Sequence, residues 1–261
     1  MYPDIIKLGP LTVHSYGLFI SLAFTFGIIL ASYRAKARNI DVSMVLDMSI
    51  YAIVSAIVGS RIVYIIVNYK DYLKDPIRVF YIHQGGLVFY GGLIGVIITL
   101  SYYIRVHKLE FFEIADLLIP SLPLGHMLGR IGCFLNGCCY GACTTSAYGV
   151  VFPGLHNPSP RHATQLYESL FCLLSLFLLL FIEKYLKKSG YLFVTYIYLY
   201  SAWRFSIEFL RDDDRGAFMF GLSPSQNISI LGVVFATALL FYISKKTAGT
   251  TIAAQNIGEK K

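Results

Sequence analysis

Charge is what this sequence has least of. Only 14% of its 261 residues are Asp, Glu, Lys or Arg, against 56% hydrophobic, and the mean hydropathy is +0.61. That is too little charge to coat a water-facing surface, which excludes an ordinary soluble domain. A long polar stretch is missing too. The longest, 135–164, holds Pro153, Pro158 and Pro160 with few charges, so no separate soluble domain is expected and 1–261 reads as a single membrane domain. Ahead of the first apolar block stand Pro3, Asp4, Lys7 and Pro10, with neither a basic start nor a small-residue cleavage site. That block is read as a retained helix, not a signal peptide. There is no G-x-x-x-x-G-K-[ST] loop for a nucleotide, and no C-x-x-C pair for thiol redox chemistry. No internal repeat supports the inverted-repeat plan of many transporters.

What fills the chain is apolar blocks of about 17 to 25 residues, the length a helix needs to cross a hydrocarbon layer of about 30 Å. Seven spans are predicted, near 15–33, 45–67, 86–104, 112–134, 165–183, 191–210 and 226–244. The fold class is therefore an all-α integral membrane protein of about seven transmembrane helices. The net charge of +7 suggests nucleic acid in a soluble protein, but here the basic residues gather between the blocks. Arg34, Lys36 and Arg38 follow span one, and Arg105 and Lys108 follow span three. Lys184, Lys187 and Lys188 follow span five, and Lys245 and Lys246 follow span seven. The clusters share a side, and the positive-inside rule makes that side the cytoplasm. The N-terminus is then outside and the basic tail 245–261, ending Gly258, Glu259, Lys260 and Lys261, is cytoplasmic. The outer loops are 68–85, 135–164 and 211–225, the first basic as well through Lys70, Lys74 and Arg78.

Three arginines fall inside or at the edge of spans: Arg61, Arg130 and Arg204. A guanidinium in hydrocarbon costs at least about 2.5 to 3.5 kcal/mol, so each must face protein, a partner or a polar cavity. Snorkelling or a structural ion pair is the plainer reading, weighing most for Arg61. In span six, Tyr200, Arg204, Glu208 and Arg211 recur at steps of four, four and three and so line one face, where Glu208 can pair with either arginine. Span four carries Gly125, Gly129, Cys133 and Gly137 at intervals of four, a small-residue stripe along which another helix can approach. Gly132, Asn136 and Gly137 predict a break into an irregular segment whose amides, beside Arg130, can hold a phosphate. In span three, Gly91 and Gly95 predict close packing, and Tyr90 stands within that glycine frame; Tyr16 follows His14 and Ser15 at the start of span one.

Cys133, Cys138, Cys139 and Cys143 fall within eleven positions, with Cys172 apart. Their spacing is not the paired C-x2-C plan, and adjacent Cys138 and Cys139 make awkward joint ligands, so no metal and no cofactor is expected; a loop disulfide stays open. Pro160 to Glu168, including Arg161, His162, Gln165 and Tyr167, bring many polar groups to the start of span five, at the rim of a site or simply solvating a helix end.

Taken together these segments resemble the prolipoprotein diacylglyceryl transferase family over nearly the whole chain. The resemblance rests on His14-Ser15-Tyr16-Gly17, Gly59-Ser60-Arg61, Gly85-Gly86 through Tyr90-Gly91-Gly92-Leu93, and Gly129-Arg130-Ile131-Gly132. Pro160-Arg161-His162, Gln165-Leu166-Tyr167-Glu168, and Arg204 with Glu208 complete it. It implies a seven-span fold in the bacterial cytoplasmic membrane, phosphatidylglycerol as donor, and the lipobox cysteine of a prolipoprotein as acceptor. The products it implies are a thioether-linked diacylglyceryl protein and glycerol phosphate. Arg130 falls on the family's signature arginine, Arg204 on its second essential arginine, Tyr16 on its first-span tyrosine and Gly141 on a loop glycine. The family pattern has asparagine at Cys133, glutamate at Cys138 and histidine at Tyr90. A tyrosine is a poor base at neutral pH, which leaves His14, His126, His162 or Glu208 as the base, or none.

The catalytic candidates are thus Arg130, Arg204, Tyr16 and Tyr90; Glu208, Gly141, Cys133, Asn136, Arg61 and His162 are candidates for binding substrate with the two arginines. A thiolate attacking the glycerol carbon drives negative charge onto the departing phosphate, which arginines stabilise. Three rivals stay open: a paralogue with another donor or acceptor, an anionic-lipid binder or transporter, and a membrane thiol oxidoreductase using Cys138 and Cys139.

Overall fold

A computed structural model describes residues 1–8, 11–74, 77, 79, 86, 88–153, 159–186, 188–212 and 221–258. Pro10, Arg78, Gly85, Pro158, Lys187, Glu259, Lys260 and Lys261, named above, lie outside them, as do positions 213–220 of the last predicted outer loop. The chain begins with a hairpin, β1 (Asp4–Leu8) and β2 (Leu11–His14), followed by helices α1 (Ser15–Ala37), α2 (Val42–Val67) and the short α3 (Tyr69–Lys74). Next come α4 (Phe89–Val106), α5 (Phe111–Leu118), α6 (Ser121–Asn136), α7 (Thr164–Ile182), α8 (Tyr191–Ile207) and α9 (Pro224–Gly258).

Helices stand at all seven predicted places, yet among the described residues six are long and apolar enough to cross a membrane, α5 and α6 counting as one. The exception is α8. Its 17 residues give a rod of about 26 Å, at the short end of what crosses a hydrocarbon core. A 3-10 turn, Glu208–Leu210, continues it, so the predicted end at 210 is reached in a different geometry. The hairpin and three isolated bridges, Gly141 to Arg211, Cys143 to Arg161 and Val150 to Arg161, correct the expectation of helix alone.

The chain divides into two compact units, Met1–Leu30 with Ala115–Lys261, and Ala31–Ile114. In the second unit α2 and α4 meet through glycines. A Cβ built on Gly91 lies 2.5 Å from the Gly59 carbonyl oxygen, and one on Gly95 lies 2.5 Å from that of Ser55. The glycine frame of span three is therefore a backbone-to-backbone contact, as small residues permit where lipid supplies no hydrophobic drive.

In the first unit the span-four stripe also finds its partner. Gly125 faces Ala23, Gly129 faces Ile20, and Gly132 faces Phe19 and Tyr16, all of α1, while Ser121 Oγ donates to the Gly27 carbonyl at 3.0 Å. Buried Ile119, Leu179, Leu192 and Tyr196 form a core among α7, α8 and the end of α5. Asp116, 6% exposed, caps α8 by accepting from the Gly190 and Phe193 amides at 2.6 and 2.8 Å. Those amides are the unpaired donors of a helix start, and the carboxylate also suits its positive end.

Candidate active site

Two partly buried arginines, each held by a carboxylate, organise the first unit. Arg130 lies on α6, 17% exposed, and meets Glu168 of α7, which is fully buried. Its Nη2 donates to Glu168 Oε1 at 3.1 Å, and its Nε lies 3.0 Å from Oε2. One turn earlier on α6, His126 Nε2 sits 3.1 Å from Arg130 Nε and 3.2 Å from Glu168 Oε1. A neutral imidazole there accepts from the arginine, and an imidazolium donates to the glutamate. The His126 ring packs on Tyr200 of α8 with centroids 5.4 Å apart.

Arg204, also on α8, pairs with Glu208 four residues on, at 2.8 Å. Its Nη2 donates to Ser225 Oγ at 2.7 Å, and Glu208 Oε1 accepts from Ser223 Oγ at 2.8 Å. The start of α9 thus grips the end of α8. Of the two arginines that Glu208 can reach, the structure selects Arg204, because α8 gives way to the 3-10 turn before Arg211 and a different backbone carries that residue to Gly141. Tyr200, which His126 contacts, stands one turn before Arg204 on α8, so the two clusters are linked through that ring pair.

Tyr16 joins them. It is 45% exposed, its Cα lies 3.4 Å from a Cβ built on Gly132, and Arg130, Cys133, Cys138 and Cys139 are its charged or ionisable neighbours. Gly132, having no side chain, is what lets the tyrosine backbone lie against α6.

The predicted break after span four lies later than Gly132, which is inside helix. The helix runs to Asn136, and Gly137, at φ 74°, turns the chain left-handed. The Cys138 amide then donates to the Cys133 carbonyl and the Gly137 amide to the Phe134 carbonyl, both at 3.1 Å, the paired bonds of a Schellman cap. Asn136 is exposed beside Cys138.

Beyond this cap the 135–164 loop doubles back. The Gly141 amide donates to the His162 carbonyl at 2.8 Å, and the His162 and Ala142 backbones pair at 3.0 Å. A Cβ built on Gly141 runs into the Leu210 carbonyl oxygen, Thr164 Cγ2 and His162 Cβ, so glycine is required there for space. His162 Nδ1 lies 3.4 Å from the Tyr167 hydroxyl. Arg161 bonds Asp212 at 2.8 Å and packs over the Tyr140 ring, and the Asp212 hydrogen bond raises the Arg161 pKa by favouring its charged form.

Tyr90 and Arg61 belong to the second unit. Tyr90 is 51% exposed. Arg61 is buried, with Nε donating to the Val79 carbonyl at 3.1 Å and Nη1 to that of Gly86 at 3.3 Å, and its guanidinium carbon lies 5.7 and 5.6 Å from the ring centroids of Tyr64 and Tyr72. These contacts are the structural role weighed most heavily for this arginine.

Sequence reasoning missed the pairing of Arg130 with Glu168, which had been placed only at a rim, and the serines Ser223 and Ser225. It gave no sign that the Sγ atoms of Cys133, Cys138 and Cys139 all lie within 4.8 Å of one another.

The arrangement suits an anionic group that gains charge as it leaves. Guanidinium donors held by buried carboxylates keep their geometry without reorganising. Comparison with known proteins agrees. Residues 3–242 match the family model described as prolipoprotein diacylglyceryl transferase. A relative from Clostridium botulinum, named phosphatidylglycerol–prolipoprotein diacylglyceryl transferase, is 34% identical over 94% of this chain and 98% of its own. One of the same name from Clostridium tetani is 35% identical over 90% and 94%. Another, from Clostridium perfringens and numbered 2, is 37% identical over 90% and 92%. This chain belongs to the prolipoprotein diacylglyceryl transferase family.

Proposed function

We propose that this protein carries out the reaction for which its relatives are named: it moves the diacylglyceryl group of phosphatidylglycerol to the lipobox cysteine thiol of a prolipoprotein. A thioether forms and glycerol phosphate leaves. The observation that carries this reading is the pair of partly buried arginines, Arg130 held by Glu168 and Arg204 by Glu208, in a chain of this family.

In this scheme Arg130 and Arg204 clamp the donor phosphate and take up the charge that develops on it. Glu168 and Glu208 orient them. Tyr16 bonds to phosphate or glycerol oxygens, and the Gly141 crossing with His162, Cys133 and Asn136 borders the place where substrate enters. Tyr90 and Arg61 stay candidates for contacting substrate, and Tyr90→Phe tests the first of them.

The chain is placed as one membrane domain in the bacterial cytoplasmic membrane, with seven spans when α8 and its 3-10 extension cross together. Its N-terminus is outside and its C-terminus cytoplasmic, on the strength of the basic clusters. The function is tested by incubating purified protein in detergent with labelled phosphatidylglycerol and a lipobox peptide, beside the same peptide with serine for cysteine. Label on the cysteine peptide alone is expected. Label on neither assigns the protein to a paralogue with another donor or acceptor.

A further inference from the structure

We propose that Cys139 is a site of reversible oxidation by peroxide, that it closes a disulfide on Cys133, and that the modified protein holds the donor phosphate more tightly. The disulfide is independent of the transferase reading above; its effect on the donor rests on that reading.

The site follows from how α6 ends. Gly137, at φ 74°, turns the chain back, and the Cys138 amide donates to the Cys133 carbonyl at 3.1 Å. In such a cap the chain past the left-handed residue returns over the last turn of the helix. Cys139 then takes a φ of 65°, uncommon for a residue with a side chain, and its Sγ comes 3.6 Å from that of Cys138. All three cysteines are free thiols, with their sulfurs within 4.8 Å of one another. The first turn of α7 holds the segment there: Gln165 Nε2 donates to the Cys138 carbonyl at 2.6 Å and Thr164 Oγ1 to that of Cys139 at 2.9 Å.

The backbone selects the pair. Adjacent Cα atoms stand about 3.8 Å apart, below the range of about 4.4 to 6.8 Å that disulfides favour, so Cys138 and Cys139 suit one another poorly. Cys133, on the last turn of α6, is left as the partner. Cys139 is the thiol that reacts first. Hydrogen bonds from Cys133 and Cys138, then the charges of Arg130 and Arg211, outweigh burial and hold its pKa well below the ordinary thiol range. The thiolate is the form that attacks an oxidant.

The Cys139 thiolate attacks one peroxide oxygen. The S–O bond forms as the O–O bond breaks, and hydroxide leaves. The Cys133 sulfur then attacks the sulfenic acid: the S–S bond forms, the S–O bond breaks, and water departs with the Cys133 proton. The two sulfurs lose two electrons and the peroxide gains them. A dithiol reverses the change by exchange, becoming a disulfide itself.

Oxidation also removes a charge. In the reduced protein the Cys139 thiolate is an electrostatic neighbour of Arg130 and opposes the attraction of that arginine for a phosphate. A disulfide sulfur is neutral, so the same guanidinium, still held by Glu168 at 3.0 Å, meets the phosphate with its charge less offset.

The test uses the full-length protein in detergent, reduced with a dithiol, freed of it, and exposed to hydrogen peroxide. Intact mass should show the loss of two hydrogens, restored by dithiol, and fragment spectra of the alkylated chain should place the link between Cys133 and Cys139. A link elsewhere, oxygen adducts without a link, or no reaction overturns the site. Affinity for phosphatidylglycerol in mixed micelles is then measured without acceptor peptide, whose thiol would reduce the link. The Kd should be several-fold lower for oxidised than for reduced parent. Reduced Cys139→Ser, which lacks the charge and cannot form the link, should bind like the oxidised parent and ignore peroxide. Equal or weaker binding by the oxidised parent overturns the effect on the donor, as does a folded Cys139→Ser protein that binds like the reduced parent. The two parental forms need no substitution, so a misfolded variant does not decide the matter. Should neither form bind phosphatidylglycerol, the donor reading and the effect built on it fall together, while the link stays legible in the mass spectrum.

Discussion

Replacing Arg130 and Glu168 by methionine, singly and together, asks whether this pair is as buried as it stands. Glu168 is fully buried and Arg130 17% exposed, with a nitrogen-to-oxygen distance of 3.0 Å. At an effective dielectric constant of about 20, charges that close attract by about 5 kcal/mol, which mainly offsets the cost of removing both from water. Either single change strands a buried charge and should cost about 3–5 kcal/mol, whereas the double change removes both charges and should cost far less. Strict addition of the two is not expected, since His126 touches both partners. Thermal unfolding of the four proteins in one detergent gives the order: each single variant should melt well below the parent, and the double variant should recover most of the difference. A double variant that melts as low as the sum of the singles would refute the reasoning, and the two groups would then be independently solvated. Transfer should be lost in Arg130→Met and remain lost in the double variant, which separates the phosphate clamp from the structural role.

Arg204→Lys keeps a charge but not a planar fork able to serve Glu208 and Ser225 together; transfer should fall by about 10²-fold, the scale of one lost transition-state donor, with little change in melting. Gly141→Ala drives a methyl group into Leu210, Thr164 and His162. It should cost about 1–3 kcal/mol of overpacking and lower transfer, read by melting and by label incorporation. Gly91→Ala meets the Gly59 carbonyl at 2.5 Å and should destabilise by a similar 1–3 kcal/mol. A Gly91→Ala protein that melts like the parent would show that α2 and α4 do not pack through these glycines.

What the sequence disclosed is what period and length encode. Apolar blocks marked the helices, and steps of four put Arg204 and Glu208 on one face, where they pair at 2.8 Å. The small-residue stripe of α6 announced a close neighbour without naming it, since nothing in the stripe says that the neighbour is α1. Glu168 and Arg130 lie 38 positions apart on different helices; their pairing depends on tertiary packing that no local pattern records. The cysteine triad was hidden differently. Its spacing says nothing of proximity until Gly137 adopts a left-handed turn and Cys139 a positive φ, and only backbone geometry converts that spacing into neighbours. The 17-residue α8 was lengthened in the sequence reading because its 3-10 extension is as apolar as the helix it continues.

The most direct test of the central claim measures transfer of labelled diacylglyceryl from phosphatidylglycerol to a lipobox peptide by the parent and by Arg130→Ala, each shown to be folded by its melting transition. Label on the peptide with the parent and none with Arg130→Ala is the predicted result. Parental transfer by a folded Arg130→Ala protein would contradict the account, since no phosphate clamp could then depend on this arginine.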